Sequence, residues 1–210
     1  KLNNGMTAVY AHLNDFTPQL RELVQLEQIK RGRYSVDIFL KPHQYRVRKG
    51  DFLGYSGQTA TIAPHLHFEL RDRNNNPINP LNGFLRIDDE VRPVIRRIAL
   101  VPLGPDSRVD GSFNPVLLEA REVSRGKFRV GRVVTAWGKI GMAVEGYDAA
   151  NNHTNYFAPY LYQLFLDDRL IFKTSFNFLS YDVSGWINIA YQYNLLKKNR
   201  GKFFNLYSLP

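Results

Sequence analysis

Apolar and polar residues alternate with a period of two along much of this chain, in short runs cut by turn-forming residues. This pattern limits the possible folds more than any other feature. In Thr7-Ala8-Val9-Tyr10-Ala11-His12-Leu13, the residues Val9, Ala11 and Leu13 fall on one face, and Tyr10 and His12 on the other. Successive side chains of a strand leave opposite faces, so the segment reads as a strand. The same reading predicts strands over Tyr34 to Leu40, Phe52 to Ser56, Pro64 to Arg71 and Val94 to Val101. It also predicts a hairpin, with Tyr160 to Leu166 and Leu170 to Phe176 flanking Asp167-Asp168-Arg169. Gly-, Asn- and Asp-rich turns such as Lys49-Gly50-Asp51, Asn74-Asn75-Asn76-Pro77 and Asp110-Gly111 separate the runs.

One segment has helical periodicity. Thr17 is a good N-cap, Pro18 suits the first helical position, and Leu20, Leu23, Val24, Leu26 and Ile29 supply an apolar face. Lys30 and Arg31 complement the last turn, and Gly32 stops it. A boundary is expected between Arg86 and Pro93, where polar Asp88-Asp89-Glu90 precedes a new apolar strand. The expectation is a mainly β chain with one domain over residues 1–85 and a second over 86–210. Short strands separated by turns in the second predict a β-sandwich, immunoglobulin-like in pattern.

Composition narrows the function. No apolar run approaches the roughly 20 residues that a membrane helix needs. The chain contains no cysteine, which removes disulfides, thiolate zinc sites and a cysteine nucleophile. No signal peptide is visible. The opening Lys1-Leu2-Asn3-Asn4-Gly5 reads as a chain entered in mid-domain, so this says nothing about compartment. The net charge of +9 is spread along the chain with acids interleaved. A nucleic-acid binder concentrates its charge on one stripe, so the pattern argues against nucleic acid and is compatible with an acidic polymer such as a cell wall.

Five histidines carry most of the candidate chemistry: His12, His43, His65, His67 and His153. In Pro64-His65-Leu66-His67-Phe68-Glu69-Leu70-Arg71, His65 and His67 are two apart, about 6.6 Å along a strand and on one face. Glu69 and Arg71 share that face, while Leu66, Phe68 and Leu70 take the core face. Two such imidazoles can serve one metal, divide metal binding and proton transfer between them, or simply lie on a half-exposed strand. Glu69 either orients a neighbouring histidine or is an exposed strand carboxylate. His43, after Pro42, reads as solvated, His153 as a polar turn residue, and Asp37 and Asp51 as structural. Trp137 and Trp186 suit core and strand-pairing roles, with a sugar-binding platform as the alternative.

Four segments occur in order: Tyr10-Ala11-His12-Leu13; Val47-Arg48-Lys49-Gly50-Asp51-Phe52-Leu53-Gly54-Tyr55-Ser56-Gly57; Pro64 to Arg71; and Pro77-Ile78-Asn79-Pro80-Leu81. Together they resemble the lysostaphin-type (LytM-type) zinc metallopeptidases, over residues 1 to about 84. The insertion from Thr17 to Gln44 and the Asn79-Pro80-Leu81 ending further resemble large multidomain members from Bacteroidetes-type bacteria. The resemblance implies a partial hybrid-motif β peptidase domain with a helical insertion and one zinc ion in a groove. It implies that His67 is a zinc ligand. It also implies that His65 and His12 activate the attacking water and stabilise the tetrahedral intermediate. The implied reaction is hydrolysis of peptide cross-links of peptidoglycan, in the periplasm or at the bacterial cell surface. The chain departs from the family in two places. The upstream His-x-x-x-Asp that supplies the other two ligands is absent and is expected to precede Lys1. Thr59-Ala60 stands where the family has Thr-Gly. An alternative is a degenerate, non-catalytic relative that binds cell wall or a partner protein. A third reading is an assembly component that docks through its C-terminal sandwich.

Overall fold

The structure, a computed structural model, describes residues 1–59, 63–152 and 154–208. The chain is mainly β, with several antiparallel sheets, and divides into two compact units, Lys1–Asn75 and Asn76–Pro210. Residues 76–85 fall with the second unit. There the Asn79 N–H donates to the Asn177 carbonyl at 2.8 Å, and the Leu179 N–H to the Pro77 carbonyl at 2.8 Å. No helix among the described residues is long and apolar enough to cross a membrane.

In the first unit, β1 (Thr7–Ala11) runs on through a break at His12 into β2 (Leu13–Phe16), followed by helix α1 (Pro18–Arg31), β3 (Gly54–Ser56) and β4 (His67–Arg71). β1 pairs antiparallel with β4, with Tyr10 opposite Phe68 and Ala11 opposite His67. β2 pairs antiparallel with β3. The helix takes the bounds its caps dictate. The Thr17 hydroxyl accepts from the Leu20 N–H, and Gly32 adopts a left-handed φ of 62° with its N–H on the carbonyls of the last turn. The apolar stripe of α1 is only partly covered, since none of its residues is fully buried. Among the described apolar residues of this unit only Leu70 is fully buried, on the core face expected for it.

Four expected strands differ. Those over Phe52 to Ser56 and Pro64 to Arg71 begin only at Gly54 and His67, which leaves His65 ahead of β4 and Leu66, expected on the core face, 48% exposed. Tyr34 to Leu40 forms none: it joins no sheet, and Tyr34 and Phe39 are 92% and 93% exposed. Alternation alone does not make a strand without a neighbouring edge to satisfy its backbone groups. The strand expected over Thr7 to Leu13 is interrupted at His12, whose φ is 59°.

The second unit contains β5 (Pro77–Ile78), β6 (Val94–Pro102), β7 (Arg108–Val109), β8 (Val116–Ser124), β9 (Lys127–Val130), β10 (Ala136–Trp137), β11 (Ile140–Tyr147), β12 (Leu161–Leu166), β13 (Arg169–Ser175), a 3₁₀ helix (Tyr181–Ala190), helix α2 (Tyr193–Lys197) and β14 (Phe204–Asn205). A five-stranded sheet has the order β14-β11-β6-β8-β9. Its core follows from alternation along β11. Ala143 packs with Ala99, Val101, Leu195 and Phe203 on one side. Val144 packs with Phe204 and Leu206 on the other, where Tyr162, Leu164 and Phe172 of the β12–β13 hairpin cover them. The Tyr162 and Phe204 rings stack at 4.5 Å, and burial pushes the Tyr162 hydroxyl up to about 12. The β12–β13 hairpin forms where expected. Asp167 and Asp168 both take positive φ (47° and 62°), the mirror-image turn geometry that matches strand twist.

Candidate functional site

The break at His12 builds the site. Continued extension would place its ring with Tyr10, whose ring lies 5.3 Å from that of Phe68. The left-handed φ at His12 turns the side chain away. Its ring instead lies 4.9 Å from the His65 ring and 5.7 Å from the His67 ring, centroid to centroid. Contrary to strict alternation, Tyr10 and His12 therefore do not share a face, and the three histidines singled out from sequence come together around His12. His43 is an exposed turn residue with a φ of 67°. His153 lies outside the described residues, as does Ala60 of the Thr59-Ala60 pair.

Two backbone contacts fix the arrangement. The Gly57 N–H donates to the His12 carbonyl at 2.6 Å, and the His65 N–H donates to the Gly57 carbonyl at 3.0 Å. Gly57 is thus the strut between the His12 bend and the entrance to β4. It has no room for a side chain: a Cβ there would lie 2.7 Å from Asn14 Cβ and 2.9 Å from both the Asn14 nitrogen and the His12 oxygen.

Hydrogen bonds assign different roles to the rings. His65 Nδ1 lies 3.0 Å from the Ala63 carbonyl. A carbonyl only accepts, so Nδ1 carries a proton, and in the neutral ring Nε2 keeps a lone pair for accepting one. His67 Nε2 lies 2.6 Å from Glu69 Oε1, and Arg71 Nε donates to Glu69 Oε2 at 2.8 Å. Against an ionised Glu69, Nε2 is the protonated nitrogen, and Nδ1 holds the lone pair. Glu69, 18% exposed, thus orients His67 and is itself held by Arg71.

The zinc ion implied by the resemblance needs three protein donors and one open position. Two imidazoles on one tetrahedral ion have ring centroids roughly 5 Å apart, given a Zn–N distance of about 2.0–2.1 Å. The His12 separations are of this order. However, among the described residues no group of three or more His, Cys, Asp or Glu side chains is placed to hold a metal ion. The described residues therefore do not complete a three-ligand site by themselves, and Nε2 of His67 is engaged by Glu69.

Of the remaining candidates, Asp51 accepts from the Arg48 N–H at 2.7 Å and closes the Lys49-Gly50 turn, a structural role. Asp37 is exposed. Trp137 pairs across β10–β7 with Arg108 but is 74% exposed, and Trp186 is 67% exposed, so neither is a core residue. The left-handed backbone of His12 has no sequence signature, since the apolar alternation runs on through Leu13. Arg71 escapes attention because a strand arginine is ordinarily just solvated. No protein-family model, curated protein or solved structure matches this chain.

Proposed function

We propose that these residues belong to a zinc-dependent endopeptidase of the lysostaphin type that hydrolyses peptide cross-links of peptidoglycan in the bacterial periplasm or at the cell surface. The observation that carries this reading is the packing of His12 against both His65 and His67, produced by the left-handed turn at His12. Neutral imidazoles transfer protons near neutral pH. His65, with its Nδ1 proton held by Ala63, accepts a proton at Nε2. His12 faces the same space and stabilises charge as it develops on the substrate. His67 is the ligand residue, oriented through Glu69 and Arg71. A bound zinc supplies Lewis acidity, and its remaining ligands are a His-x-x-x-Asp pair not found in these residues. On this reading the second unit is an immunoglobulin-like β-sandwich that serves as a docking module for a partner protein.

The test uses the full-length gene product. One zinc per chain and cleavage of cross-linked peptide are expected, with His67→Ala losing both. His12→Ala and His65→Ala should retain zinc and lose cleavage. A protein that holds no zinc under zinc-replete conditions and leaves cross-links intact refutes the enzyme reading.

A second reading, a non-catalytic binder of cell wall or protein, is favoured by one observation: no group of three or more metal-donor side chains is placed to hold an ion among the described residues. It predicts sedimentation with purified sacculi, unaltered by His12→Ala or His67→Ala.

A further inference from the structure

The second unit carries a half-open pocket of about 890 Å³, lined by none of the histidines. This is the size that takes a small organic ligand, and its lining has the usual composition of such a site, mostly apolar with a few polar groups. The rings of Phe157, Tyr160, Phe176, Tyr191 and Phe204 form much of the wall. Phe204 also anchors the sheet through edge contacts with Phe176 and Tyr191 at 5.9 and 5.7 Å, so this wall is continuous with the core.

Besides the Asn79 amide and the tyrosine hydroxyls, the charged groups of the lining are mostly acidic. Asp88, Asp89 and Asp148 line the cavity against a single cation, Arg86. None of these four forms a salt bridge among the described residues. Asp148 is fixed by its backbone, which exchanges two hydrogen bonds of 2.8 Å with Phe157, and its carboxylate accepts from the Ala149 N–H at 2.9 Å. The Asp89 carboxylate accepts from the Val91 N–H at 3.0 Å. These contacts hold both acids in place and leave carboxylate oxygens without a cationic partner. Burial first, then the nearby Asp89 charge, raise the Asp148 carboxyl above its ordinary range. The lining is acidic in a chain whose net charge is +9. The general field of the protein draws anions, whereas this cavity repels them. Its aromatic faces, with their negative quadrupole, select the same sign of ligand as its carboxylates.

We propose that this cavity binds a cationic amphiphile, a molecule with one basic nitrogen on an aromatic or branched aliphatic body. The body fills the aromatic wall, and the ammonium group meets Asp148 and Asp89. The site stands independently of the peptidase reading, because it uses no residue of the histidine cluster.

Three matched probes test it by isothermal titration calorimetry on the native protein: phenylbutylamine, phenylbutanol and phenylbutyrate. The amine is expected to bind about tenfold more tightly than the alcohol, the size of one partly desolvated charge-assisted contact, and the carboxylate more weakly than either. Asp148→Asn combined with Asp89→Asn should bring the amine to the affinity of the alcohol while the alcohol is unaffected, which also shows that the cavity is intact. Asp89→Asn alone, in a segment outside the sheets, gives a partial loss and keeps the test valid if the double variant does not fold. Equal affinity for amine and alcohol, preference for the carboxylate, or no binding of any probe at about 10 mM, a concentration at which even a small fragment registers in a real pocket, overturns the proposal.

Discussion

Replacing Gly57 with alanine tests whether the histidine cluster is built by the backbone strut described above. The added Cβ would sit 2.7 Å from Asn14 Cβ and 2.9 Å from the Asn14 nitrogen and the His12 oxygen. Ordinary carbon contacts begin near 3.5 Å, so the two chain segments must separate by several tenths of an ångström. Two of the three clashing atoms are backbone, which cannot rotate away. Overpacking of this kind costs about 1–3 kcal/mol. The same shift stretches the bonds from Gly57 to His12 and from His65 to Gly57, each contributing about 1 kcal/mol. With both bonds broken the expected loss is therefore about 3–5 kcal/mol, confined to the first unit. Native-state hydrogen exchange at β1 and β4 measures it, and imidazole Cε1–H resonances follow the rings. His12 and His65 signals should move, while that of His43 stays. Gly131→Ala is the control, because a Cβ there meets nothing within 4 Å. If Gly57→Ala exchanges like Gly131→Ala and leaves the His12 and His65 resonances in place, the strut argument is wrong.

Three further outcomes are expected. At His12 the usual order of substitutions should invert: His12→Gly should be more stable than His12→Ala by about 1 kcal/mol in urea unfolding, because only glycine adopts a φ near +60° without strain; a more stable alanine variant would mean the residue is not left-handed in solution. The two units should differ in protection, with amides of β6 and β11 exchanging far more slowly than those of β1 and β4, since the first unit fully buries only Leu70 among its described apolar residues; equal protection would contradict this. For Asp148, a folded-state pKa raised above the ordinary 3.8 means that the native state holds the proton more tightly, so stability is lost as pH rises from about that value through the folded pKa. Asp148→Asn should then match the native protein at pH 3 and exceed it at pH 7 in thermal unfolding, and an Asn variant less stable at pH 7 would show that the carboxylate is favourably paired.

The parts of this fold that could be read from sequence are those whose causes are local. Helix α1 starts and stops where Thr17, Pro18 and Gly32 require, and the β12–β13 hairpin turns on Asp167-Asp168, because caps and tight turns are decided within a few residues. The nearness of His65 and His67 in sequence was legible, but β4 begins only at His67, and His65 is placed by its bridge to Gly57. What was not legible depends on distant partners. Tyr34 to Leu40 alternates like a strand but joins no sheet, and alternation cannot reveal whether a neighbouring edge exists. The acid-lined cavity depends on segments separated by dozens of residues. His12 falls between these cases. Its residue type was legible, but its place in the cluster depends on a single positive φ that ends β1 at Ala11, held by Gly57 from 45 residues further along. The alternation rule, applied strictly, grouped His12 with Tyr10 and away from the face it joins. The cluster thus exists because the period-two pattern fails at that residue.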